Sequence, residues 1–180
     1  MNEREALSRA LTSSGATLAA LSEPRPLLVV FLRHAGCTFC REALADIARD
    51  CGRIESRGVG IALVHMGPEN PATRAHFAQY GLDDLPRVSD PDRELYRALG
   101  LGRGTLGQLF GLKCWLRGFR AGVIDGHWVG KLVGDGFQMP GVFVVERGVV
   151  THRFVHRSAA DRPDYQLLAC APIGAAAEIH

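Results

Sequence analysis

The sequence predicts a single α/β domain. Three observations predict it. Strand-sized apolar runs at Leu27–Leu32 and Val59–Met66 alternate with helical stripes, so the first half reads strand–helix–strand–helix. A parallel pair with a crossover helix is the simplest geometry for that order. In the second half, Gly141–Val145 and Val149–His156 are two strand patterns joined by Glu146-Arg147-Gly148, a hairpin that adds antiparallel pairing. The 180 residues suffice for one buried core, and no internal repeat or linker divides them.

The elements follow in order. Leu7, Leu11, Leu18 and Leu21 predict an N-terminal helix over about 3–21, weakened by Gly15 and ended by Pro24 and Pro26. The core then spans about 25–170 of one domain covering 1–180. Leu27–Leu32 is apolar throughout, as a strand buried on both faces requires. From Gly36 to about Arg57 the apolar positions Cys40, Leu44, Ile47, Cys51 and Ile54 recur at four, three, four and three residues, one face of a helix. Asp46, Arg49, Asp50 and Arg53 fall on its other faces, and Gly58 and Gly60 stop it. Asn70-Pro71 fits an N-cap with proline at the first helical position, opening a helix to about Tyr80. A short strand at Arg87-Val88 and a helix from Asp90-Pro91 through Leu99 come next. The glycine-rich stretch 100–136 carries Leu106, Leu109, Phe110, Trp115 and Phe119, and reads as helix and loops packed on the sheet. Pro163 to about Ala169 predicts a terminal helix, followed by a frayed tail.

Composition excludes several classes. Hydrophobic residues make up 47% and charged residues 22%, an ordinary globular balance and not that of a disordered chain. A net charge of +2, from 21 basic and 19 acidic residues, makes no electrostatic case for nucleic acid. No apolar run reaches the ~18–20 residues of a membrane span. The acidic N-terminus, Met1-Asn2-Glu3-Arg4-Glu5, lacks the apolar region of a secretory signal, so the expected compartment is the reducing cytoplasm. Five cysteines are too few, and odd in number, for a disulfide scaffold.

The strongest chemical signal is Cys37-Thr38-Phe39-Cys40, directly after a buried strand and at the start of a long helix. Unpaired N–H groups and the positive end of the helix dipole favour thiolate there. Two intervening residues let the sulfurs close a small disulfide that exchange reopens readily. Cys40 shares the inward stripe of Leu44 and Ile47, whereas Cys37 lies in the preceding turn. An exposed nucleophile at Cys37 with a shielded resolving partner at Cys40 follows. Two alternatives stand beside it. A zinc site needs two more ligands, and with no second CxxC, His34, Cys114 or His127 would have to converge by folding. The pair is otherwise two structural cysteines without chemistry. No metal and no cofactor is expected.

Around the pair, His34 is placed to stabilise a thiolate or relay a proton, or else is a solvated strand-end histidine. Arg33 and Arg41 flank the pair and either raise the local positive potential or only solvate a surface. Cys51 continues the core stripe as a small buried hydrophobe. Cys114 and Cys170 are read as structural, with a role in resolving an oxidised Cys37 or Cys40 left open. Gln138-Met139-Pro140-Gly141 precedes the third apolar strand; a proline there belongs at the strand start, where it removes no ladder donor. The glycines between 100 and 136 match neither GxxxxGK[ST] nor GxGxxG after a strand, so no nucleotide site is expected.

Three blocks in order carry a resemblance: Val29 to Glu42 with its CxxC, Ser89-Asp90-Pro91-Asp92-Arg93-Glu94-Leu95-Tyr96, and Gly134 to Val145. Together they resemble the peroxiredoxin-like, AhpC/TSA-type branch of the thioredoxin superfamily over roughly residues 25–170. The resemblance implies a thioredoxin-like fold, a central mixed β-sheet flanked by helices, with Pro140 as a cis-proline facing the cysteines, and thiol-dependent reduction of a peroxide or another oxidised substrate. Some relatives look like reductases of lipid endoperoxides. One departure matters. Where typical peroxiredoxins carry Pro-x-x-x-Thr-x-x-Cys, this chain has Arg33 at the proline position and Cys37 at the threonine position, if Cys40 matches the peroxidatic cysteine. The missing hydroxyl favours dithiol–disulfide chemistry. Peroxiredoxin logic makes Cys40 the nucleophile, and thioredoxin logic, like the helix stripe, makes it Cys37.

The expected function is therefore that of a thiol oxidoreductase. Cys37 and Cys40 are its catalytic residues, and His34, Thr38, Met139 and Pro140 are its candidate substrate contacts. Its partners are a peroxide or disulfide substrate and an external thiol reductant such as a thioredoxin, with no nucleic acid, no membrane and a homodimer compatible. The alternative is a non-catalytic thioredoxin-like binding module whose cysteine pair is a redox switch or vestigial.

Overall fold

The computed structural model describes residues 1–33, 38–105, 137–158 and 161–170. Five strands, β1 (Leu27–Phe31), β2 (Gly60–His65), β3 (Arg87–Ser89), β4 (Gly141–Glu146) and β5 (Val149–Val155), form one sheet in the order β3-β2-β1-β4-β5. The β1–β2 and β2–β3 pairs are parallel; β4 runs antiparallel to β1, and β5 to β4. The sheet is thus mixed, as expected, with the apolar run of β1 at its centre.

Strand alternation splits β1 between two cores. Leu28 and Val30 face one side with Leu44, Ile47 and Ile54 of helix α3 (Thr38–Ser56), joined by Phe77 of α4 (Pro71–Ala78) and Leu168 of α6 (Tyr165–Ala169). Leu27, Val29 and Phe31 face the other with Leu7 of α1 (Glu3–Arg9), Leu18 of α2 (Leu18–Leu21) and Tyr96 of α5 (Glu94–Ala98). A strand apolar on both faces is what two helical layers demand. Rings from three elements lock the second core, Phe31 meeting Tyr96 at 4.9 Å and Phe143 at 5.3 Å, both edge-on.

Several helix starts carry the chemistry their sequence suggests. The Asn70 side chain accepts from the Thr73 N–H at 2.9 Å with Pro71 at the first helical position. The Asp90 carboxylate accepts from the N–H groups of Glu94, Leu95 and Tyr96 at 2.9–3.2 Å, so the helix expected from Asp90 begins four residues later, after Arg93 in a left-handed conformation.

One expectation is corrected. The N-terminal helix over 3–21 is two short helices, each capped by its own side chain, Asn2 for α1 and Thr17 for α2. Between them Gly15 takes φ +85°, and Leu11 bridges Thr17 across a tight turn held by Thr12 and Ala16. On the polar faces of α3, Glu42, Asp46 and Asp50 are buried. The segment leading into α6 covers them, Arg162 pairing with Glu42 and with both oxygens of Asp46, and Gln166 donating to Asp50 at 2.9 Å. Among the described residues, no helix is long and apolar enough to cross a membrane.

Candidate functional site

The site lies where β1 ends. Of the predicted residues, His34 and Cys37 are outside the described residues, as are Cys114, Trp115 and His127. Thr38 and Cys40 occupy the first turn of α3, both buried. Cys40 is 5% exposed and belongs to the sheet-facing core with Leu44 and Ile47, as the stripe predicts. Its Sγ accepts a hydrogen bond from the backbone N–H of Arg33 at 3.2 Å.

Arg33 ties this sulfur to the third sequence block. Its side chain is buried, and Nε donates to the Gln138 carbonyl at 3.1 Å. Gln138 is fixed in turn: its Nε2 donates to the carbonyls of Leu101 at 2.9 Å, Gly102 at 3.0 Å and Met139 at 3.2 Å. Pro140 and Gly141 follow at the start of β4, with Gly141 paired to Phe31 in the sheet register. Packing is close there, since a Cβ on Gly141 would stand 2.7 Å from Leu101 Cδ2. The second block arrives through Tyr96, fully buried, whose phenol donates to the Leu32 carbonyl at 2.5 Å and reaches that of Val64 at 3.3 Å. Three stretches remote in sequence thus converge on the last residues of β1.

Pro140 shares a cavity lining with Cys40, but its peptide bond is not the expected isomer. The described residues contain no cis peptide bond, so Met139–Pro140 is trans, the form tertiary amides prefer by about 0.5–1 kcal/mol. The Met139 N–H is meanwhile spent on the Gly102 carbonyl at 3.1 Å, and Met139 is buried.

Cys40 lines two cavities. The smaller, about 20 Å³, has room for about one water and is bounded by Pro140, His156, Arg162 and Tyr165, among others. The larger, about 430 Å³, is bounded by Leu44, Met66 and Phe77 with Arg41, His65 and His76, a size within the ~300–1,000 Å³ of small-molecule sites. Burial pushes the His65 imidazole below its ordinary value, although its Nε2 lies 3.2 Å from Glu69. The same burial, with Arg41 adding to it, lowers His76. Both rings are therefore neutral at pH 7. Glu69 is held below the usual carboxylate range; burial opposes this, but hydrogen bonds from Arg87 at 2.9 Å and from His65 prevail. Burial pushes the Tyr96 and Tyr165 phenols well up, so neither ionises near neutrality. Among the described residues no group of three His, Cys, Asp or Glu side chains is placed to hold a metal.

The two other described cysteines lie elsewhere. Cys51 is half-buried at the edge of the core, its thiol pushed up by burial and by Glu55. Cys170 is exposed, and Arg57 Nη1 donates to its Sγ at 3.0 Å. Sequence reasoning noted Arg33 as a flanking charge and as the residue at the proline position of the peroxiredoxin pattern, but not its bonds to Cys40 and Gln138, and it missed the roles of Gln138 and Tyr96. The one available signal was that each falls within a recognised block.

A mixed sheet with a buried cysteine in the first turn of the helix after β1 defines a thioredoxin-fold protein. Comparison places it more narrowly. Residues 46–160 match the AhpC/TSA antioxidant enzyme family, a match that begins after the CxxC, and the chain belongs to that family. It is 30% identical over 132 residues to human Peroxiredoxin-like 2A, covering 71% of this chain but only 53% of that relative, so it spans about half that relative's length. It is 30% identical over 161 residues to prostamide/prostaglandin F synthase of Pongo abelii, covering 86% of this chain and 79% of that one. The solved structure of the peroxidoxin BcpB from Mycobacterium tuberculosis superposes with a TM-score of 0.55 at 17% identity, covering 84% of this chain and 82% of that one.

Proposed function

We propose that the protein is a thiol-dependent oxidoreductase that reduces a peroxide or a disulfide through Cys37 and Cys40. The observation that carries this reading is the placement of Cys40. Its sulfur sits in the first turn of α3, accepts a backbone N–H, and borders a cavity large enough for an organic substrate. Membership of a family of antioxidant enzymes supports it, as does the likeness to a prostaglandin F synthase.

The chemistry balances without a cofactor. The Cys37 thiolate attacks one oxygen of a peroxide; the S–O bond forms, the O–O bond breaks, and the departing alkoxide takes a proton. Cys40 then displaces water from the resulting sulfenic acid and closes the disulfide. With a disulfide substrate the first product is a mixed disulfide, which Cys40 resolves by exchange. An external dithiol such as a thioredoxin returns the pair to the reduced state, as a reducing cytoplasm would allow. The buried sulfur of Cys40 suits the resolving role, and His34, Thr38, Met139 and Pro140 are the proposed substrate contacts.

Thiol titration before and after one equivalent of peroxide tests this. The wild-type chain is expected to fall from five free thiols to three, with a persistent sulfenate in Cys40→Ser and no rapid oxidation in Cys37→Ser. Steady-state turnover of hydroperoxides with a thioredoxin system is expected. Slow, unselective oxidation with no turnover of any hydroperoxide or disulfide would leave a binding module instead.

A further inference from the structure

We propose that Arg33 is a positioning residue for Cys40, and that the Gln138–Met139 loop sets the state of that sulfur through it. This rests on Cys40 being a redox thiol, as above. The connection is a chain of buried hydrogen bonds. Gln138 Nε2 is held by three carbonyls, the Gln138 carbonyl accepts from Arg33 Nε, and the Arg33 backbone N–H donates to Cys40 Sγ. Arg33 and Gln138 are both buried, so neither arm is a surface contact that solvent replaces at little cost.

An N–H aimed at a sulfur favours the thiolate over the thiol, because only the anion gains the full charge–dipole attraction. The N–H of a residue just past a strand end is free to turn away unless something holds it. Here the side chain of the same residue is anchored 105 positions along the chain, on the turn that precedes β4. Arginine suits this anchor because its donor stands at Nε. In lysine that position is a methylene, and the nearest donor moves one atom further out.

Among the described residues, the other charged and titratable groups near the sulfur come from several elements. Arg41 and Glu42 lie on α3, His65 follows from β2 and His76 from α4 across the larger cavity. His156, Asp161, Arg162 and Tyr165 stand across the smaller one, and Tyr96 contributes its field from α5. Arg33→Lys and Gln138→Ala leave all of these in place and keep the charge at position 33, so a change in Cys40 reports the tether rather than net charge.

The test is the pH dependence of Cys40 alkylation in a Cys37→Ser background, with the label located by peptide mass spectrometry and the thermal midpoint of each variant recorded. Arg33→Lys is expected to raise the midpoint of the alkylation profile by on the order of one pH unit, and Gln138→Ala in the same direction. Arg33→Lys titrating with the parent would overturn the proposal, since charge at position 33 would then suffice. Should Arg33→Lys fail to fold, Gln138→Ala decides: an unshifted profile overturns the tether. No peroxide is turned over in this assay, so absence of enzymatic turnover removes the proposed activity without touching this coupling.

Discussion

At the scale of single residues, the end of β1 depends on groups that make their hydrogen bonds far away in sequence. Tyr96 is the clearest case, since its hydroxyl holds the Leu32 and Val64 carbonyls where the two central strands leave the sheet. Tyr96→Phe keeps the ring packing against Phe31 but removes the short bond to the Leu32 carbonyl, while the Val64 carbonyl keeps the Leu32 N–H at 2.9 Å, so a loss of about 1–3 kcal/mol is expected in urea unfolding. An unchanged midpoint would show that the phenol contributes only bulk. His65 and His76 give a second expectation. Burial lowers both in the folded state, so between the unfolded value near 6.5 and their lower folded values the unfolded chain binds more protons. Stability then falls as pH drops through this window. Glu69, held low by Arg87 and His65 against its burial, continues the loss below 4.5. Urea midpoints are expected to fall from pH 7.5 to pH 5, and His65→Gln to flatten that slope; equal slopes would exclude His65 as a contributor.

At the scale of elements, what was legible depended on how far away an element's partner lies. The stripe Cys40, Leu44, Ile47 and Ile54 and the Asn70-Pro71 start are local patterns, and they stand in the structure as read. The far face of α3 was not legible, because the residues that bury Asp46 and Asp50 lie 116 positions away. An acidic residue on a helix reads as solvated until an arginine from elsewhere is seen to cover it. The N-terminal helix failed for a similar reason: apolar spacing ran through Gly15, but the side-chain caps of Asn2 and Thr17 favoured two short helices. The clasp yields an expectation of its own. Arg162→Ala leaves Glu42 without its guanidinium and Asp46 with Arg49 alone. Because Arg162 is about half exposed and Asp46 keeps one partner, a cost of about 1–3 kcal/mol is expected, below that of a fully buried pair. Hydrogen exchange should show α6 opening more often in the variant, and unchanged protection there would mean the apolar contacts of Tyr165 and Leu168 hold it unaided.

At the scale of the whole molecule, the topology gathers the three recognised blocks at one end of the sheet and separates the spare described cysteines from them. Contacts run in register along α3: Arg162 meets Glu42 and Asp46, Gln166 meets Asp50, and Cys170 meets Arg57 just past the helix end. The C-terminal segment therefore travels the length of α3 away from Cys40. From Cys40 to Ser56 the helix rises roughly 24 Å, whereas a disulfide needs Cα atoms within about 7 Å. Cys170 is out of reach of an oxidised Cys40 in the same folded chain, a point on which sequence could not decide because the direction of α6 along α3 is a tertiary fact. Cys170→Ser is accordingly expected to lose two of its four remaining thiols to one equivalent of peroxide, at the wild-type rate. Peptide mapping of the oxidised wild-type protein is expected to find Cys170 reduced. An intramolecular Cys40–Cys170 disulfide would mean that α6 leaves α3 during the reaction, and the clasp at Arg162 would then have to open in every cycle.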